Sequence, residues 1–222
     1  MLDDFTPAAK RAAGLRSITQ RPSERRSAPD GGRGVVRAPL SSPLQVREAG
    51  ESGLLTFVGV ASVTERAYPM WDMFGEYSEV IDAAAFDDTL ARNDLDVTLV
   101  LGHDQMRRIA RTTLGTLRLA AGEDGLAVDA DLDPADPDVA YAAPKLRSGL
   151  YDEMSFAFRI ESGQWSPDYT EYRITRVDLH RGDVSIVGWG ANPYTTGGLR
   201  SVQRATFAQH QAAHLDLAIA TG

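Results

Sequence analysis

The stretch GLAVDADLD (125–133) decides how the fold is read. Leu126, Val128, Ala130 and Leu132 recur with a period of two, and Asp129, Asp131 and Asp133 occupy the alternate positions, the pattern of a half-buried strand. Just upstream, TLGTLRLAAG (113–122) completes a hairpin across Glu123-Asp124. Moving outward, LLTFVGVASV (54–63), EYSEVI (76–81), DVTLVLG (96–102), DEMSFAFRIES (152–162) and DVSIVGWG (183–190) are further strand candidates, with a hairpin near TEYRITRVDLH (170–180). The segment around Pro69 and Trp71 reads as a loop. AAAFDDTLARN (83–93) predicts a short helix, with Phe86 and Leu90 four apart. DPADPDVAYAAPKLRSG (133–149) predicts another, opened by Asp/Pro chemistry and kinked or split at Pro144. Many short strands with few helices imply a mixed, mainly β protein with a closed or nearly closed sheet, not parallel α/β layers.

Composition narrows the function classes. With 222 residues, the chain can bury a sizeable core. No apolar run approaches the ~18 residues of a membrane span. The N-terminal MLDDFTPAAKRAAGLRS lacks the apolar core of a secretory signal. There are no cysteines, which removes disulfides and thiolate metal sites and fits an intracellular, non-secreted life. Residues 1–50 hold nine Lys/Arg against five Asp/Glu, whereas the remainder holds 14 against 26. A basic, Ser/Pro/Gly/Arg-rich leader, read as disordered over 1–50, therefore precedes an acidic body. Arg25, Arg26 and Arg33 are too scattered to make nucleic acid the partner of a chain with net charge −8. Residues 199–222 form a tail in which SVQRATFAQHQAAHLDLAIA is expected to be an amphipathic helix.

Two residues carry candidate chemistry. His103 ends the apolar run VTLVLGHD, and Ser155 lies within MSFAF. A serine hydroxyl is a weak nucleophile until a base takes its proton, and imidazole is the usual base near neutral pH. Along 152–162, Met154, Phe156, Phe158 and Ile160 share one parity and are expected to face the core. Ser155 and the small Ala157 take the other face, where a hydroxyl can meet a substrate. His103 shares parity with Val97, Leu99 and Leu101, and Gly102 permits the chain to turn the ring outward. Asp104 is a poor orienter for it, because adjacent strand residues face opposite ways. No metal or cofactor is expected. His210 and His214 have helical i, i+4 spacing but lack the intervening Glu of a zinc-protease helix. The acidic run DADLDPADPD lacks the loop Gly and terminal Glu of a calcium loop.

Six stretches in order carry a resemblance: FVGVAS (57–62), EVIDAAAFDDTL (79–90), VLGHD (100–104), DGLAVDADLD (124–133), LRSGLYDEMSFAF (146–158) and LHRGDVSIVGWGANPYT (179–195). Over these the chain resembles the prohead (capsid maturation) serine proteases of tailed bacteriophages, the HK97-like family. The resemblance implies a protease domain over 51–198, built as a β-barrel flanked by a few short helices and related to the herpesvirus assembly proteases. It implies Ser155 as nucleophile and His103 as base. The third member would be Asp183, in GDVSIV where the family more often has Glu, or alternatively His180, because the related viral proteases use a second His. Backbone amides around Gly188–Gly190 are a candidate oxyanion site. The implied role is cleavage of the major capsid protein's scaffold segment, and of the chain itself, inside the procapsid in the host cytoplasm. The leader would then be a pro-segment. The alternative is an inactive capsid-assembly binding module on the same fold, consistent with SFAF standing where the family often has SFGF.

Overall fold

The computed structural model describes residues 5–27, 53–122, 124–188 and 196–200. In chain order the elements are α1 (Pro7–Gly14), β1 (Arg26–Ser27), β2 (Leu55–Ser62), β3 (Tyr68–Asp72), β4 (Gly75–Ile81), α2 (Asp87–Leu90), β5 (Thr98–Leu101) and β6 (Asp104–Arg111). They continue with β7 (Leu117–Gly122), β8 (Gly125–Leu132), α3 (Pro137–Arg147), β9 (Glu153–Trp165), β10 (Glu171–Val187) and β11 (Thr196–Arg200). The protein is mainly β, as the strand periodicity requires. No helix among the described residues is long and apolar enough to cross a membrane.

Strand β10 organises the larger, seven-stranded sheet. One edge carries β9 antiparallel from Tyr172 to Val187. The other carries two parallel partners in tandem, β4 at Glu171–Ile174 and β5 at Asp183–Ile186. Beyond β4 lie β3 and β1, and beyond β5 lies β6. The smaller sheet runs β11-β2-β8-β7. One hydrophobic cluster serves both sheets, with Phe57, Leu126 and Ala130 from the smaller and Leu99, Ile174 and Val184 from the larger, each fully buried. Strand β2 comes close to β9, but no ladder among the described residues joins the two sheets into a closed cylinder. Among the described residues, the closed or nearly closed barrel expected from the sequence is not completed by hydrogen-bonded pairing, and two sheets pack on a common core.

The hairpin that decided the sequence reading forms as β7 and β8, with Leu126, Val128, Ala130 and Leu132 all buried. Two local expectations change, and a third is narrowed. The Pro69 loop is strand β3, in which Tyr68, Met70 and Asp72 alternate inward, and Pro69, lacking an N–H, takes an outward position. The hairpin and separate strand expected after residue 170 are one long strand, β10, broken by a register shift between Asp178 and Asp183, with Arg181 at φ 61°. The helix α3 keeps Pro144 inside it and is capped by Asp136, whose side chain accepts from the Asp138 and Val139 amides.

The leader also departs from the disordered reading over residues 5–27. Thr6 caps α1, and Pro7 occupies its first turn. Arg11 is fully buried, gripping Asp72 through Nε (2.8 Å) and Nη2 (3.0 Å) and donating to the carbonyls of Tyr169, Gly75 and Glu76. Its guanidinium lies 5.2 Å from the Tyr77 ring and 5.1 Å from the Trp165 ring. Downstream, Trp165 donates its amide to Ile18 O and its indole N–H to Gln20 O. Arg25 then meets the buried Glu79, which also accepts from the Tyr68 and Tyr77 hydroxyls. Burial alone would lower the Arg25 pKa, but hydrogen bonding and the charge of Glu79 raise it. A buried charge needs such pairing, so Arg25 is committed to the body and not to a nucleic acid. The side chain of Arg26, Arg33 and the rest of the leader lie outside the described residues, as does the 201–222 tail with His210 and His214.

Candidate active site

The site begins at the tip of a hairpin. Leu101 pairs with Asp104, leaving Gly102 and His103 as a two-residue turn with φ of 63° and 59°. Two consecutive positive φ values are the geometry that matches the twist of flanking antiparallel strands. Glycine adopts this freely, and histidine is one of the few side chains enriched there. The turn, not strand parity, therefore sets the direction of the His103 ring.

This tip is fastened to β10 at several points. Gly102 donates its amide to Ile186 O (2.9 Å), and His103 donates its amide to Ser185 Oγ (2.8 Å). The His103 ring places Nδ1 2.6 Å from Asp183 Oδ1. Gln105 Nε2 donates to the other oxygen, Asp183 Oδ2, at 2.7 Å. Asp104 stays out of the constellation, its carboxylate accepting from the Met106 amide.

Ser155 arrives from the opposite edge of β10. In the β9–β10 ladder it stands directly across from Ser185, and Ala157 stands across from Asp183. Residues opposed in a ladder share a face, so Ser155, Ala157, Ser185 and Asp183 project to the same side. On the other edge, Val100 and Thr98 of β5 are level with Ser185 and Asp183. One strand thus carries the acid, its left and right neighbours carry Ser155 and the run into His103, and the hairpin turn brings the imidazole back over β10.

Burial grades across the group. Asp183 keeps 4% of its side-chain surface exposed and His103 keeps 39%. Residues 183–186 of β10 are buried on both faces, Asp183 and Ser185 included. Alternation signals burial only when one face meets water, and a strand in mid-sheet with parallel neighbours need not show it. Chemically, a shielded carboxylate against Nδ1 and a half-open imidazole are suited to proton transfer at Nε2.

His180 lies elsewhere. It sits in the β10 bulge, where its Nδ1 accepts the Asp96 amide (3.3 Å) and its own amide donates to Asp178. Gly188 follows the end of β10, while residues 189 and 190 lie outside the described residues. The acidic run is spent on structure: Asp129 and Asp131 pair with Arg118, and Asp133 and Asp136 accept from backbone amides. Among the described residues no His/Asp/Glu group is arranged to hold a metal ion. Sequence reading missed Gln105 and Ser185. No strand periodicity links Gln105 to His103, because His103 stands in the turn and Gln105 follows it in an irregular part of the ladder.

Comparison with known proteins adds one finding. Neither curated proteins nor solved structures return a match to the chain. The family described as caudovirus prohead serine protease matches residues 42–210, a span that contains His103, Ser155 and Asp183. That match covers well over half of the sequence, and the chain belongs to the caudovirus prohead serine protease family.

Proposed function

We propose that this chain is a serine endopeptidase of procapsid maturation in which Ser155 is the nucleophile, His103 the general base and Asp183 the orienting carboxylate. The observation that carries the reading is the 2.6 Å contact between His103 Nδ1 and Asp183 Oδ1, on the strand directly paired with the one bearing Ser155. With Nδ1–H donated to the carboxylate, the Nε2 lone pair is free to accept the Ser155 proton. The Ser155 oxygen then attacks a peptide carbonyl, and the imidazolium returns its proton to the departing amine. Water, deprotonated by the same Nε2, attacks the acyl-enzyme and regenerates the serine. Asp183 holds the tautomer and stabilises the imidazolium throughout.

The substrates in this reading are the scaffold-like segment of the major capsid protein and the chain itself, both met inside the procapsid in the host cytoplasm. Co-expression with the capsid protein of the same phage, followed by intact mass, tests it. Discrete truncation of capsid protein and protease in wild type, lost in Ser155→Ala, is the expected result. Identical masses from both chains would overturn it and favour the assembly-module alternative.

A further inference from the structure

We infer that Gln105 is a positioning residue for the catalytic pair, holding the Asp183 carboxylate in the orientation that His103 requires; this rests on the triad reading above. A carboxylate contacted at one oxygen can swing about its Cβ–Cγ bond, and each swing lengthens the hydrogen bond that fixes the imidazole tautomer. Here both oxygens are taken, Oδ1 by His103 Nδ1 and Oδ2 by Gln105 Nε2. Both donors come from one hairpin, two residues apart, so Asp183 is held from a single element. That unit is registered against β10 by the Gly102 amide on Ile186 O and the His103 amide on Ser185 Oγ. The Gln105 amide is itself oriented, because Arg108 Nη2 donates to its Oε1 (3.3 Å).

The chemistry of the donor matters as much as its place. A neutral carboxamide supplies a hydrogen bond and leaves the negative charge of Asp183 available to the imidazolium that forms during attack. An Arg or Lys at position 105 would instead form an ion pair with Asp183 and compete with His103 for the same charge. Removing the outer hydrogen-bond partner of a metal-bound His or carboxylate typically costs about 10–100-fold, and an effect at the lower end of that order is expected for the analogous support of Asp183.

The test uses the full chain and a fluorescent fluorophosphonate, a probe that phosphonylates an activated serine and needs no known substrate. Gln105→Met preserves length but cannot donate. It should slow the maximal rate of Ser155 labelling by about ten-fold, with the probe's half-saturating concentration and the Tm unchanged. In Ser155→Ala, the proton NMR resonance of the His103 Nδ1–H, shifted downfield by its short contact, should remain. In Ser155→Ala/Gln105→Met it should weaken through exchange or move upfield. Wild-type labelling rates and an undisturbed resonance in the Gln105→Met chains would overturn the positioning role. A wild-type chain that never labels, while the resonance still responds to Gln105→Met, would sink the nucleophile reading and leave the Gln105–Asp183–His103 linkage standing.

Discussion

Removing the Arg11 guanidinium tests whether the N-terminal segment is part of the folded body. Arg11 and Asp72 each expose 1% of their side chains, so neither is compensated by water if the other is lost. In Arg11→Ala, Asp72 Oδ1 still accepts from the Phe74 and Gly75 amides, but Oδ2 loses its Nε partner. The carbonyls of Gly75 and Glu76 lose a donor as well, and the space between the Tyr77 and Trp165 rings is vacated. Breaking a buried pair from one side costs about 3–5 kcal/mol, chiefly because a charge stays buried and unpaired. For a chain of this size that corresponds to a fall of about 6–20 °C in Tm. Arg11→Met/Asp72→Asn removes both charges at similar volume and should recover most of the loss. The assay is urea unfolding followed by tryptophan fluorescence, since Trp165 lies against Arg11. An Arg11→Ala midpoint within about 1 kcal/mol of wild type, or a double variant as unstable as the single one, would refute the argument.

Four other outcomes follow from the same structure. His180→Gln should leave Ser155 labelling intact and cost about 1 kcal/mol of stability, because its ring serves the Asp96 amide; abolished labelling would restore His180 as third member. Burial first, and then the charge of Glu79, raise the Tyr68 and Tyr77 phenols, while burial pushes Tyr172 up to about 12, so an absorbance titration should find these three of the seven tyrosines un-ionised in the folded chain at pH ~11. Because these folded pKa values exceed the unfolded one, their stabilising contribution is whole below pH ~10 and is lost as pH rises through the folded values, which urea midpoints measured from pH 8 to 11 would register as a decline beginning near 10. Gly182→Ala places a Cβ 2.1 Å from the Ala157 carbonyl oxygen and must push β9 away from β10 two residues from Ser155, so labelling should drop well before Tm does; an unchanged labelling rate would show that the bulge absorbs the methyl.

How legible the molecule was in its sequence depends on how many faces of each strand meet water. Strand β8 was readable because its aspartates sit outside while Leu126, Val128, Ala130 and Leu132 sit inside. The same logic placed Ser155 away from Met154. It has no purchase on Asp183 and Ser185, since a central strand flanked on both edges has no wet face to announce. For His103 alternation alone points inward and Gly102 carries the signal, because the ring's direction comes from a Gly-His turn with two positive φ values. The leader failed for a different reason. Thr6 and Pro7 form a recognisable helix start, but the face that α1 buries is an arginine, and its partner Asp72 is 61 residues away. A pattern-based reading assigns arginine to solvent and cannot see a pair made only by tertiary structure.

The long strand β10 explains why the site depends on register more than on any one side chain. Its first half is registered by β4 and its second by β5, while β9 runs along both. Antiparallel pairing on one edge and two parallel partners on the other need not share a common register over seventeen residues. The shift between Asp178 and Asp183 takes up the difference, so the second half can set Ser155 against Ser185 and Asp183 against Ala157 whatever the first half requires. A slip of one residue in that second half would turn Asp183 and Ser185 to the opposite face and leave His103 without either partner. Sequence features that look unremarkable, such as Gly182 tight against the Ala157 carbonyl and Arg181 in the left-handed region, therefore belong to the register that sets the residues of the proposed triad.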